Sequence, residues 1–191
     1  MSSLEDLDRI IQAVEKSNCN KLVLLKCTST YPASPENTNI LTIPHMKDLF
    51  NCQIGLSDHT LGIGVSVASV ALGATVIEKH LTLDRSEGGV DSSFSLEPEE
   101  FKLLVNETKK AWDALGSIHY GPTEAERKSI IFKRSIYCSK DIKLGECFTT
   151  ENIRIVRPGY GAPPYLYELL IGKEAKRNFK KGNPIKIEEI L

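Results

Sequence analysis

Two of the chain's four histidines, His59 in "SDH" and His80 in "EKH", stand at the ends of consecutive apolar runs. Charge surrounds both, with Asp58 beside the first and Glu78 and Lys79 before the second. A neutral imidazole ligates divalent metals and moves protons near neutral pH. Two of them at matched positions fit either one metal ion held between them or an acid/base pair. Asp58 and Glu78 are then carboxylates that orient the rings or the neighbouring lysine, or solvated charges on a rim. The plain alternative is that each histidine caps a strand with a hydrogen bond, but the paired placement favours function.

The elements around these residues alternate. Leu4, Leu7, Ile10, Ile11 and Val14 recur at helical spacing, "KSNCN" closes that helix, and "KLVLLKC" follows as a compact strand-like run. The Pro/Ser/Asn-rich "TSTYPASPENTN" reads as a loop, and Ile40, Leu41, Ile43, Met46, Leu49 and Phe50 continue as a helix despite Pro44. Next come the strand "QIGLS", the small-residue helix "GIGVSVASVALGA" and the strand "TVIEKHLTL". A fourth helix starts at Pro98, a favourable first-turn residue, and carries Phe101, Leu104, Val105, Ala111 and Leu115. This alternation predicts parallel βαβ units, either a doubly wound sheet or part of a (β/α)8 barrel. In both, ligands bind where strands end, which puts His59 and His80 on neighbouring strand ends of one rim. If "VIEKH" is a strand, Lys79 faces away from Glu78 and His80.

Composition limits the rest. At 191 residues and 41% hydrophobic, the chain can bury one substantial core plus a small second module. It holds no apolar run of membrane-spanning length, and the acidic start "MSSLEDLDRI" is unlike a signal peptide, so a cytoplasmic protein without membrane or nucleic-acid partners is expected. Five scattered cysteines, Cys19, Cys27, Cys52, Cys138 and Cys147, form no CxxC pair and read as reduced thiols. Residues 1–122 hold 10 Lys+Arg against 16 Asp+Glu, and the remainder 14 against 9. An acidic larger part followed by a basic tail fits docking between the two, or a tail that faces an anionic ligand.

After Pro122 the texture changes. "SIYCSKDIKLGECFTTENIRIVRPGYGAPP" has short β-branched and aromatic runs separated by turn-formers, as in a small, mostly β module. The expected division is 1–122, a charged linker at 123–130 ("TEAERKS" and Ile130), and 131–191.

Five stretches, "CTSTYPASPENTN", "IGLSDHTLG", "ALGATVIEKHLTLDR", "KRSIYCSKDIKLGECFTTENIRIVRPGYG" and "LIGKEAKRNFKKGNPI", together resemble the sialic acid synthase family. "GGVDSSFSLEPEEF" is most similar to the branch of that family that makes pseudaminic acid. The resemblance covers nearly the whole chain. It implies an α/β fold, a (β/α)8 TIM barrel followed by a SAF (antifreeze-like) domain, in a domain-swapped homodimer whose SAF domains cap the partner's barrel. Only about the last three barrel strands are expected here. The first half, with the family's phosphate-binding lysines, would have to be supplied separately, and the unpaired strand edges would favour association.

The chemistry implied is condensation of phosphoenolpyruvate with an amino-sugar aldehyde. The methylene carbon of phosphoenolpyruvate attacks the aldehyde, water adds to the resulting cationic carbon, and phosphate leaves by C–O cleavage. His59 and His80 match the family's metal ligands, for Mn²⁺ or Mg²⁺, and with Asp91 of "GGVDS" make the catalytic set. Ser57 resembles a phosphoenolpyruvate contact, Ser29 and Tyr31 of "CTSTYP" and Asp91 resemble substrate contacts, and Arg157 of "VRPGYG" would reach the acceptor from the partner's SAF domain. By residue type alone, Ser29 is a turn former, Tyr31 a loop aromatic and Arg157 a surface charge. Three origins fit such a chain: a synthase part that assembles with a separate N-terminal half, a non-catalytic remnant that binds sugars or partners through its SAF-like module, or a truncated product of a longer gene.

Overall fold

The computed structural model describes residues 1–17 and 21–189. Cys19, one of the expected reduced thiols, and the end of "KSNCN" lie outside the described residues; Cys27, Cys52, Cys138 and Cys147 are free. The chain divides into two compact units, Met1–Ile118 and His119–Leu191.

In the first unit, helix α1 (Leu4–Lys16) opens on a capping box between Ser3 and Asp6. Its apolar stripe forms as the spacing predicts, yet Leu4 is 60% and Ile10 43% exposed, and only Ile11 packs against the core. Strands β1 (Val23–Cys27), β2 (Gln53–Asp58) and β3 (Val76–Lys79) pair in parallel in that order. Helix α2 (Thr42–Phe50) links the first two. Pro44 is tolerated there because it sits in the first turn, where backbone N–H groups have no partner within the helix. Helix α3 (Gly64–Ala71) links β2 to β3, and its buried Ser66 and Ser69 allow a close approach. Helix α4 (Pro98–Leu115) starts at Pro98, with Glu97 and Glu100 completing its capping box.

The pairing register sets Cys27, Ser57 and Glu78 side by side, and Asp58 beside Lys79. Side chains alternate along a strand, so each strand divides its residues between two faces. Leu24, Ile54 and Leu56 meet Ile43 and Met46 of α2 in the helix-side core, with Ile77 packed against them. Leu25, Gly55, Ser57, Val76 and Glu78 share the other face, where Gly55 is required: a Cβ there would sit 2.4 Å from the Val76 carbonyl oxygen and 2.5 Å from a Leu25 methyl.

The run "TVIEKHLTL" is a strand over four residues, not nine. The β2–β3 ladder ends with Asp58 and Lys79, and the chain beyond it turns to Leu96 instead: Leu96 N–H donates to the His80 carbonyl at 2.9 Å, and Thr82 N–H to the Leu96 carbonyl. Leu81 and Leu83 are therefore exposed at 54% and 77%.

In the second unit, β4 (Ser135–Cys138) and β5 (Ile153–Val156) pair antiparallel. Single bridges at Ile142–Phe179, Cys147–Glu174 and Tyr137–Pro184 extend the β texture, and Tyr167–Leu170 forms one short helix, α5. Ile136, Phe148, Ile153, Leu170, Phe179 and Ile185 fill its core. Gly161 passes so near Ile136 that a Cβ would meet that carbonyl oxygen at 2.3 Å. Within the charged stretch after Pro122, Arg127–Phe132 forms a 3₁₀ helix.

Candidate active site

His59 and His80 each follow the last residue of a strand, one on β2 and one on β3. Their ring centroids lie 5.2 Å apart. His59 Nδ1 is 3.0 Å from the Thr28 carbonyl, which can only accept, so this nitrogen carries the proton and Nε2 keeps its lone pair. His80 Nδ1 faces Asp91 Oδ2 at 3.4 Å, and a carboxylate there favours the same tautomer. Both rings thus engage Nδ1 and leave Nε2 for a ligand.

Two loops converge on the pair in the same manner. Ala33 N–H donates to the His59 carbonyl at 2.9 Å and draws the β1–α2 loop across β2. That sets the Tyr31 ring 4.4 Å from His59 and 6.0 Å from His80, centroid to centroid. The bond from Leu96 N–H to the His80 carbonyl does the same for the β3–α4 loop, which brings Phe94 within 5.1 Å of His80 and 5.6 Å of Tyr31. Arg85 fixes this second loop by donating from Nε to the Ser95 carbonyl at 3.0 Å and pairing with Glu97 and Glu100.

Next to the histidines on the same face, Ser57 Oγ donates to Glu78 Oε1 at 2.7 Å. Cys27 ends β1 with Sγ 3.9 Å from His59 Nδ1 and 3.6 Å from Ser29 Oγ. The structure therefore brings His59, His80, Asp91, Tyr31, Ser57 and Ser29 to one end of the sheet. Arg157 is exposed in the second unit, directly after β5. Cys27 and Phe94 were not singled out from the sequence. Phe94 carried a signal, as the one aromatic in the polar stretch "GGVDSSFS"; Cys27 carried only its place at the end of a strand.

The flanking charges resolve differently from one another. Glu78 lies on the histidine face and is engaged by Ser57. Asp58 touches neither histidine: it is buried on the opposite face with Lys79, whose Nζ lies 2.9 Å away. Burial pushes the Asp58 carboxyl up, but hydrogen bonds from Ser66, Lys79 and Thr60 outweigh it and hold the pKa below its ordinary value.

The donor set suits a divalent ion in an open site. Among the described residues no group of three or more His, Cys, Asp or Glu comes together as a metal site, and the two imidazole Nε2 atoms are the donors that this pair could offer an ion. The Tyr31 and Phe94 rings pack beside the two imidazoles.

The NeuB family model matches residues 1–120 and the SAF domain model residues 133–191. The chain is 44% identical over 182 residues to pseudaminic acid synthase of Campylobacter jejuni, covering 95% of this chain and 53% of that protein. It is also 44% identical over 195 residues to human N-acetylneuraminate-9-phosphate synthase, covering 100% of this chain and 54% of the relative. The crystal structure of the spore coat polysaccharide biosynthesis protein SpsE from Bacillus subtilis superimposes with a TM-score of 0.58 at 31% identity, over 100% of this chain and 59% of that one. The chain thus spans about half the length of the curated relatives it matches, and its three parallel strands with their helices are a portion of the TIM barrel of that family. The chain belongs to the NeuB family, the sialic acid synthases, with a SAF domain at its C-terminal end.

Proposed function

We propose that this chain takes part in the condensation of phosphoenolpyruvate with an amino-sugar aldehyde to form a nonulosonic acid, with release of phosphate. The acceptor is the precursor of pseudaminic acid, a reading supported by the 44% identity to the Campylobacter jejuni enzyme. The single observation that carries the proposal is the His59–His80 pair, 5.2 Å apart with both Nδ1 atoms engaged.

His59 and His80 would hold a divalent ion through Nε2, and Mn²⁺ suits two imidazoles better than Mg²⁺, which demands oxygen ligands. When bound, the ion supplies Lewis-acid polarisation of the aldehyde oxygen. The chain's own residues orient the ligands and line the reactants. Thr28 and Asp91 fix the two ring orientations. Tyr31 and Phe94 exclude bulk water from the reacting carbons. Ser57, its one hydroxyl proton donated to Glu78, lines the phosphoenolpyruvate side of the site, the Asp91 carboxylate accepts from sugar hydroxyls, and the Ser29 hydroxyl accepts or donates there. Arg157 serves the acceptor end of a partner subunit's site, as in a domain-swapped homodimer with segment 123–130 as the linker.

The sheet edges at β1 and β3, with Val23 and Val76 exposed at 43% and 40%, support a barrel completed by further strands, as in the longer relatives, that bring the phosphate-binding residues. A cytoplasmic setting fits the free thiols, and among the described residues no helix is long and apolar enough to cross a membrane.

The test measures phosphate release with phosphoenolpyruvate, Mn²⁺ and candidate acceptor sugars, from this chain alone and with an N-terminal barrel fragment of a relative added. Release only in the complemented sample, lost on His59→Ala or His80→Ala, is the expected result. No release from fragments shown to be folded and associated would defeat the assignment.

A further inference from the structure

Each candidate ligand is preceded by a buried charge that faces away from it. Asp58 comes before His59 and Lys79 before His80; both side chains are 1% exposed, and they meet at 2.9 Å on the helix side of the sheet. This is also the last rung of the β2–β3 ladder, so no backbone pairing between the two strands reaches the histidines themselves.

The pair extends past that rung. Asp58 Oδ1 accepts from Thr60 N–H at 2.9 Å and Thr60 Oγ1 at 2.7 Å, and Oδ2 from Ser66 Oγ at 2.6 Å. Lys79 Nζ also donates to the Thr60 carbonyl at 2.5 Å. The residue after His59 is thereby held at its N–H, its carbonyl and its hydroxyl by the two residues that precede the histidines.

Stability is a poor reason for such a cluster. On this face Ile54, Leu56 and Ile77 are apolar, with Lys26 beside Leu56 on β1, and a buried ion pair is commonly no more stabilising than apolar side chains of the same volume. What it supplies that apolar contacts do not is a fixed geometry across two strands. We infer that Asp58 and Lys79 are positioning residues that set the separation and aim of the His59 and His80 rings, and through it the affinity and coordination geometry of the bound ion. This rests on the metal reading above.

The test uses the whole chain, with Mn²⁺ alone titrated by the loss of its free electron paramagnetic resonance signal and Co²⁺ alone by its visible absorption. The key variant is the pair Asp58→Leu with Lys79→Met, which removes both charges and strands neither. Ile43→Ala, in the helix-side core, controls for general loss of stability. The paired variant, shown folded by circular dichroism, is expected to bind Mn²⁺ about tenfold more weakly, the lower end of what removing outer-shell support costs, with an altered Co²⁺ band; Ile43→Ala should change neither. If the pair does not fold, Thr60→Val is read in its place and should weaken binding in the same direction.

Wild-type affinity and an unchanged Co²⁺ band in the paired variant, or an equal loss in Ile43→Ala, overturns the clamp. Because His59→Ala and His80→Ala are measured in parallel, the metal reading is judged separately. Wild-type binding that either histidine variant abolishes upholds that reading even as the clamp falls. No wild-type binding, or binding indifferent to both histidines, overturns the two together.

Discussion

On the helix-facing side of the three-stranded sheet, Asp58 accepts four hydrogen bonds, Lys79 is 1% exposed, and the apolar residues around them close the core. On the other side of the same strands, one residue further along each, His59 and His80 keep a ring nitrogen unengaged, while Glu78 lies exposed with only Ser57 against it. Strand alternation alone separates a face saturated for folding from one left open for chemistry. Burial alone does not separate the two roles, since His59 and Ser57 are buried as well: the charged neighbours of the histidines differ in role because they differ in face.

The largest effect that can break this comparison is on the saturated side. Lys79→Ala strands the buried Asp58 carboxylate and is expected to cost about 3–5 kcal/mol, whereas Glu78→Ala, its immediate neighbour, should cost about 1 kcal/mol, the scale of one lost hydrogen bond. Urea unfolding of both variants gives the ratio; equal losses would erase the distinction between the faces. Gly55→Ala comes next. Its methyl would drive into the Val76 carbonyl and Leu25 on the open side, so an overpacking loss of about 1–3 kcal/mol is expected, together with weaker Mn²⁺ binding, since the same contact spaces β2 from β3. A stable Gly55→Ala chain with wild-type Mn²⁺ affinity would show that this spacing does not govern the site.

The smallest effect is chemical. Cys52 packs against the helix-side core and burial raises its thiol pKa, so at pH 8 less of it is thiolate and iodoacetamide should label it slowly, faster as pH rises. Cys27 lies against His59 on the open face. Mn²⁺ is expected to slow labelling of Cys27 and leave Cys52 unchanged, as read by mass spectrometry of the peptides; equal protection of both would contradict the placement of the ion.

Much of this arrangement is legible in the sequence, for identifiable reasons. The four helices and three strands announce themselves through apolar spacing, and the matched strand-end positions of His59 and His80 follow from the βαβ order. The length of β3 is not legible, because "LTL" is as β-prone as "VIE" and only the turn toward Leu96 ends the strand. Nor are the roles of Asp58 and Glu78: adjacent to a histidine in sequence, each is assigned to a face by pairing register, which single-strand patterning does not fix. Tyr31, Ser29, Ser57 and Asp91 are marked by family resemblance; Ser57 is set by the strand ladder, while the two loops are drawn in by hydrogen bonds, Ala33 to His59 and Leu96 to His80, that leave no trace in composition.

The central claim, that His59 and His80 jointly hold one divalent ion, is tested most directly by pulsed electron paramagnetic resonance of the Mn²⁺-loaded chain, which detects nitrogen bound to the metal. Modulation from two imidazole nitrogens is predicted, falling to one in either His59→Ala or His80→Ala. A spectrum without nitrogen coupling, or one unchanged by both substitutions, would contradict it.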